Sequence, residues 1–281
     1  MKALLFVSVL WAFSFGLIKG QLTGVDPTLV AAIRLLLCAL VFLPFIKFST
    51  NNSYSLKLLG LGAVQFGVMY WAYIQSYQYL PGYLVAVFTI FTPIYVFLVA
   101  SIWQRNWQFS SLVPIFISIV GAATIVYRAP EANQWLTGFL ILQCANIAFA
   151  LGQVGYKYLS QSIDAGHTNS MAIMYMGAAI FSVITVLFTG SYSGIPDITK
   201  DQWLVLLYLG VIASGIGFAA WNYGAKQVKA STLGLMNNGY IPFAVIFSIT
   251  LFGEQADIVR LTIGTSLMLV AAYWLEKRNA T

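Results

Sequence analysis

The sequence predicts an all-α integral membrane protein of ten transmembrane helices, arranged as two inverted-topology five-helix repeats. Three observations predict it. First, the 281 residues are 60% hydrophobic and only 8% charged, with a mean hydropathy of +0.83. A soluble domain of this size needs far more charge to keep its surface wet. Second, the apolar residues fall in runs of about 20, the length that crosses a bilayer as a helix. Third, one run occurs twice. Ala230 to Glu254 is uncharged until its last residue and carries Asn237, Asn238 and Pro242 inside an apolar stretch. A weak echo lies at Pro81 to Arg105, where a shift of 149 puts Pro93 on Pro242 and Val96 on Val245. Just upstream, Trp71-Ala72-Tyr73 matches Trp221-Asn222-Tyr223 at a shift of 150.

Taken in order, the spans fall at 3–20, 28–48, 56–78, 80–103, 110–127, 135–157, 169–189, 202–222, 230–252 and 258–275. Short turn-forming connections separate them, such as Asp26-Pro27, Asn51-Asn52-Ser53, Ala129-Pro130 and Gly194-Ile195-Pro196. Only Leu80 and Pro81 divide the third span from the fourth. The first span follows Met1-Lys2 as a signal peptide would, but it has no clean small-residue cleavage site, and we expect it to be retained. Its end, Trp11-Ala12-Phe13 to Lys19, resembles Phe149-Ala150-Leu151 to Lys157 at the end of span 6. Spans 1 and 4 therefore match spans 6 and 9, which divides the chain into repeats at 1–128 and 134–278. Five spans per repeat is an odd number, so the second repeat enters the membrane upside down.

The net charge of +6 does not point to nucleic acid, because the basic residues stand singly between apolar runs. They sort by side instead. With the N-terminus cytoplasmic, Lys2, Lys47, Lys57, Arg105, Lys157, Lys226, Lys229, Lys277 and Arg278 lie inside. Lys19, Arg128, Lys200 and Arg260 lie outside. Cytoplasmic loops carry the Lys/Arg excess, so both termini are expected in the cytoplasm.

Polar side chains within lipid turn toward the bundle or a wet cavity. In span 6, Gln143, Asn146, Ala150, Gln153 and Lys157 share one helical face. They serve either as interhelical hydrogen-bond glue or as the wall of a polar pathway. Span 3 offers Gln65, Trp71, Gln75 and Gln78, and span 1 offers Ser8, Trp11 and Ser14. Span 4 gives Thr89 and Thr92 just before its proline. Span 8 ends in Ser214, Trp221 and Asn222, and span 9 gives Asn237, Asn238 and Tyr240. Amides and hydroxyls among aromatic rings suit a small polar or zwitterionic solute. Any single Trp or Tyr also suits an interfacial anchor. Arg34 is the one charge well inside a span, about 9 Å deep at 1.5 Å per residue. It either snorkels to the outer interface or anchors a substrate carboxylate. The candidate substrate-binding residues are accordingly Trp11, Ser14, Arg34, Trp71, Gln75, Thr89, Gln143, Asn146, Gln153, Trp221, Asn222, Asn237, Asn238 and Tyr240.

An enzyme on lipid-linked substrates needs acid/base, nucleophilic or metal groups. The sequence has no carboxylate pair and no metal-ligand spacing, and His167 is its only histidine. Cys38 and Cys144 both sit in apolar runs, with no disulfide framework. No phosphate-cradling loop is present, so neither a cofactor nor a nucleotide is expected. No Asp or Glu lies in the middle of a span; Glu254 and Asp257 at the outer mouth come nearest. A scaffold or receptor would not need the polar stripe of span 6. A secondary transporter of a small organic metabolite accounts for repeat, prolines and polar interior together.

At this point the chain resembles the EamA-type members of the drug/metabolite transporter superfamily. The resemblance is carried by Trp11-Ala12-Phe13, by Arg34 in AAIRLLL, by WNYGAKQVKAST at 221–232, by Pro242, and by Leu251-Phe252-Gly253-Glu254 ahead of Gly264. It covers essentially the whole chain. It departs in the first half, where Gln104-Arg105 stands in place of the frequent Gly-Glu. The resemblance implies an inner-membrane carrier of small metabolites, often an exporter of amino acids, working by alternating access. Spans 1, 3, 4, 6, 8 and 9 would line its cavity, and spans 5 and 10 would be peripheral.

Overall fold

The computed structural model describes residues 1–22, 24–47, 52–80, 85, 88–126, 135–162, 166–252 and 257–280. Among these the chain is all-helical, with no strand. The helices are α1 (Lys2–Gln21), α2 (Pro27–Phe42), α3 (Asn52–Gly62), α4 (Met69–Ser76), α5 (Thr92–Gln104), α6 (Leu112–Val126), α7 (Trp135–Ser162), α8 (His167–Thr189), α9 (Lys200–Leu207), α10 (Gly217–Gln227), α11 (Ala230–Met236), α12 (Tyr240–Phe252) and α13 (Ile258–Ala280). Among the described residues, five segments are long and apolar enough to cross a membrane: Pro27–Phe45, Trp135–Gln161, His167–Thr189, Lys200–Gln227 and Ile258–Leu275. Shorter apolar helices cover Lys2–Ser14, Thr92–Gln104 and Phe109–Ile125. The connection at 81–84 and Glu254 lie outside the described residues.

The surface and interior are distributed as lipid requires. Phe116, Leu136, Leu187 and Phe188 are exposed, while Gln65, Gln153, Asn222 and Asn238 are fully buried. With no water in the hydrocarbon, polar groups must find partners inside the bundle.

Local chemistry sets the ends of the helices. Asp26 caps α2 by accepting from Leu29 N (3.0 Å), and Pro27 occupies the first turn, where its missing N–H costs nothing. Thr199 and Gln202 form a reciprocal capping box at the start of α9. Gly190 closes α8 in the left-handed conformation (φ 73°).

Two features shape the interior. α3 runs into α4 through a π-helical stretch, Ala63–Val68, and α9 runs into α10 through another, Tyr208–Ile216. Both prolines also break their spans. Pro93 sits in the first turn of α5, after the turn at Ile90–Phe91. Pro242 sits in the first turn of α12, after the turn Asn237–Gly239, so the expected continuous span 230–252 is two helices. A proline supplies no N–H to the preceding turn and clashes with it, which ends the helix there. The carbonyls freed four residues before each proline are satisfied locally: Thr92 Oγ1 donates to Thr89 O (2.7 Å) and Ile241 N to Asn238 O (3.1 Å). Across the break, Asn238 Nδ2 donates to Ile90 O (3.2 Å).

Small residues let the helices approach closely. A Cβ on Gly62 would strike the backbone of Met174, and one on Gly177 the carbonyl of Leu59, so α3 and α8 touch main chain to main chain. The largest apolar cluster, around Tyr54, Leu58, Phe66, Tyr156, Met171 and Tyr175, lies along this contact. A second cluster joins Leu4, Val7, Val96, Val154, Trp221 and Leu233.

Candidate functional site

The π stretch Tyr208–Ile216 builds one wall. A π turn bonds five residues back and widens the helix, and such turns recur at functional sites. Ser214 Oγ follows that geometry, donating to Leu209 O at 2.7 Å. The displaced carbonyls are taken up by donors from other helices. Trp11 Nε1 donates to Ala213 O (2.9 Å), Tyr175 OH to Gly215 O (2.6 Å) and Cys38 Sγ to Gly210 O (3.2 Å).

Arg34 reaches this wall from α2. It is 4% exposed and turned inward, so the snorkelling alternative is not adopted. Its Nη2 donates to Tyr70 OH (2.6 Å) and to Ser214 Oγ (3.0 Å), and its Nε donates to Ser214 Oγ (3.2 Å). The guanidinium carbon lies 4.6 Å from the centre of the Tyr70 ring. Both hydrogen-bond partners are neutral, and among the described residues no carboxylate pairs with Arg34. A buried charge is costly unless paired. The site therefore holds a buried cation whose hydrogen-bond partners among the described residues are all neutral.

Arg34 opens onto a cavity of about 130 Å³. From the first half of the chain, Trp11, Ser14, Tyr70, Tyr73, Thr89 and Thr92 line it. From the second half come Asn146, Phe149, Phe218, Asn237 and Tyr240, with Met69 and Ala145 filling the wall. Trp11 stacks on Trp221 (centroids 5.0 Å apart, 28° between planes) and leans on Phe218 (4.9 Å). Thr89 Oγ1 and Tyr240 OH lie 3.0 Å apart, joining the two broken spans at the cavity edge.

The structure thus brings together Trp11, Ser14, Arg34, Thr89, Asn146, Asn237 and Tyr240 of the residues singled out from sequence. Four others, Gln143, Gln153, Trp221 and Asn238, stand directly behind them. Gln143 Oε1 accepts from Asn146 Nδ2 (3.1 Å) and from Tyr95 OH (3.0 Å). Gln153 Oε1 accepts from Trp221 Nε1 (3.0 Å) and Asn237 Nδ2 (3.3 Å), while its Nε2 donates to Asn237 Oδ1 (3.2 Å). Asn238 ties the break in one span to the break in the other.

The remaining three belong to neither group. Asn222 is fully buried in a reciprocal amide pair with Gln65 (2.9 and 3.2 Å). Gln75 donates to Thr28 Oγ1 (3.1 Å), and Trp71 is 38% exposed. The polar periodicity of α4 named the wrong face: Tyr70 and Tyr73, one and two positions away from Trp71, are the ones turned inward. Their spacing with Tyr77, at i, i+3 and i+7, was the available signal.

A largely apolar, aromatic-walled cavity with a few amides and hydroxyls and one buried cation, inside an all-helical bundle with an apolar exterior, fits a membrane carrier of small molecules. The chain belongs to the EamA-like transporter family, whose sequence profile matches residues 1–127 and 136–276. It is 37% identical to the biotin transporter of Escherichia coli K12, over 99% of this chain and 93% of that one. It is 34% identical to a probable biotin transporter of Pseudomonas aeruginosa, over 99% and 97%. A probable amino-acid metabolite efflux pump of Salmonella typhimurium is 25% identical over 89% and 88%. A solved crystal structure with 16% identity matches 99% of this chain and 98% of its own at a TM-score of 0.77, which establishes a shared fold. The protein is a multi-pass membrane transporter of a small molecule, not an enzyme.

Proposed function

We propose that this protein carries biotin, or a closely similar monocarboxylate with a compact polar head, across the bacterial cytoplasmic membrane by alternating access. The observation that carries the reading is Arg34: a buried guanidinium on the cavity wall with only neutral partners among the described residues. A carboxylate would complete it with charge-assisted hydrogen bonds. The aliphatic chain and fused rings of biotin would pack on Trp11, Phe149 and Phe218, and its urea group would bond to Asn146, Asn237 or Thr89. The relatives named as biotin transporters support the same solute.

A second reading, export of amino acids, is favoured by the more distant relative named as an efflux pump. Against it, no Asp or Glu stands among the described lining residues to meet a substrate ammonium. The carboxylate reading therefore leads.

The architecture we assign is ten spans in two inverted repeats, 1–128 and 134–278, with both termini cytoplasmic. It is supported by paired departures from α-helix. The π stretches fall in spans 3 and 8, and the proline breaks in spans 4 and 9. Discontinuous helices at a repeat interface are where such carriers place their sites.

The test is uptake of labelled biotin into proteoliposomes. Arg34→Gln should lower it at least tenfold while leaving folded protein in the membrane. Wild-type uptake by that variant, or exchange of amino acids with no exchange of biotin, would overturn the reading.

A further inference from the structure

The central cavity is not the largest opening in the bundle. A second one, of about 360 Å³, lies where the ends of α5, α7 and α10 meet the start of α11. Three lysines line it, Lys157, Lys226 and Lys229, together with amides such as Gln104, Asn106 and Gln161. No Asp or Glu is among its described lining residues.

Lys157 is the unusual member. It is 6% exposed, and its Nζ donates to Val228 O (2.6 Å) and Ala225 O (3.2 Å), the carbonyls at the end of α10. A cation there suits the negative end of the helix dipole. An ammonium has three donors, and among the described residues these two bonds leave one over. Lys226 adds a second charge on the same wall, so the described lining of the vestibule is a basic concavity that concentrates anions.

The vestibule and the central cavity share α7. Asn146 and Phe149 line the central cavity, and Lys157 and Tyr158 line the vestibule; from Asn146 to Lys157 is eleven residues, or about 17 Å along the helix. Between them on α7 sit Ala150, Gln153 and Val154, all buried, with Gln153 locked to Asn237 and Trp221. Those packed side chains separate the two cavities along α7.

We infer that the vestibule is a second, weaker binding station for the carboxylate of the carried solute, held by Lys157 and Lys226 on the far side of the Gln153–Asn237–Trp221 lock. This inference rests on the carboxylate-carrier reading above. The station loads or releases the solute on the side opposite the Arg34 cavity.

A reporter inside the vestibule tests it. Ser231 lines the vestibule and is half-buried, so in a Cys144→Ser background the S231C protein carries an accessible thiol, Cys38 being buried. Biotin should slow maleimide labelling of the purified, detergent-solubilised protein at least threefold, and the neutral amide of biotin should not. The protection should survive Arg34→Gln and disappear in Lys226→Gln, which leaves the Lys157 cap intact. Equal labelling with and without biotin would overturn the inference. So would protection by phosphatidylglycerol but not by biotin, since the lysines would then hold a lipid headgroup. Transport assays of Arg34→Gln report on the central site separately, so failure of the vestibule is told apart from failure of the carrier reading.

Discussion

Gln153 and Asn237 face each other through both ends of their amides, with Nε2 to Oδ1 at 3.2 Å and Nδ2 to Oε1 at 3.3 Å. The pair joins the middle of α7 to the break between α11 and α12, and Trp221 Nε1 closes the same Gln153 oxygen at 3.0 Å. Gln153→Ala would strand Asn237 Oδ1 and the Trp221 indole, a cost of about 1–3 kcal/mol for each buried group left unpaired. Transport should fall at least tenfold in Gln153→Ala and in Asn237→Ala, with the protein still inserted and folded. Uptake in proteoliposomes measures the first, and size-exclusion elution of the solubilised variants measures the second. Wild-type flux in both variants would remove the pair from the mechanism.

The other amide pair has a different character. Gln65 and Asn222 are fully buried, bonded to each other, and away from the cavity. Asn222 Nδ2 also reaches Met171 Sδ at 3.4 Å. Each single change to leucine should lower the thermal midpoint by leaving its partner unsatisfied. The double variant Gln65→Leu/Asn222→Leu should recover much of the loss, because removing both polar groups removes the penalty. A double-mutant cycle should give a coupling of about 1 kcal/mol, within the range found for neighbouring groups. Strictly additive losses would mean that the pair is not an energetic unit.

The two pairs explain how far the sequence could be read. Spacing on a helix identifies a polar face, and it placed Asn146, Gln153 and Lys157 together on α7. It does not say whether that face meets solute or another side chain, because a buried amide satisfies itself equally well with Gln65 or with a ligand. Arg34 was legible because one charge in an apolar run has few fates. Phe149 and Phe218 were not, because an apolar cavity wall and an apolar core have the same composition. The breaks at Pro93 and Pro242 were visible as prolines. The π stretches were not, since no residue type is obligatory for a wide turn. Tyr70 escaped because its neighbour Trp71 drew the helical face one residue out of register.

Arg105 offers a prediction about stability alone. It ends α5 at φ 53°, the one positive φ on a non-glycine residue among the described positions. Its N–H nonetheless donates to Ile102 O at 3.3 Å, as a helix-closing residue should. The left-handed conformation costs an L-residue about 1 kcal/mol, which glycine avoids. Arg105→Gly should therefore raise the thermal midpoint of the solubilised protein without changing uptake. A lowered midpoint would mean that the exposed Arg105 side chain contributes more than its backbone strain costs.

Tyr70 contributes to the Arg34 site through its hydroxyl, which also lies 2.9 Å from Ser214 Oγ, and separately through its ring. Its hydroxyl accepts from Nη2 at 2.6 Å, and its ring lies 4.6 Å from the guanidinium carbon. Tyr70→Phe keeps the ring and deletes the acceptor. A hydrogen bond to a charged group contributes about 1.5–3 kcal/mol, and part of that loss is offset because a bound carboxylate pairs the freed N–H. Affinity should therefore fall only a few-fold, and thermal stability without ligand should fall more than stability with ligand. Arg34→Lys tests the geometry from the other side. An ammonium keeps the charge but cannot hold Ser214, Tyr70 and a carboxylate in one planar array. Its uptake should stay close to that of Arg34→Gln rather than to wild type. Equilibrium binding and thermal shifts with biotin would measure all three variants. If Arg34→Lys carried solute as well as the wild type, the site would require a charge alone and not the fork that Tyr70 and Ser214 hold in place.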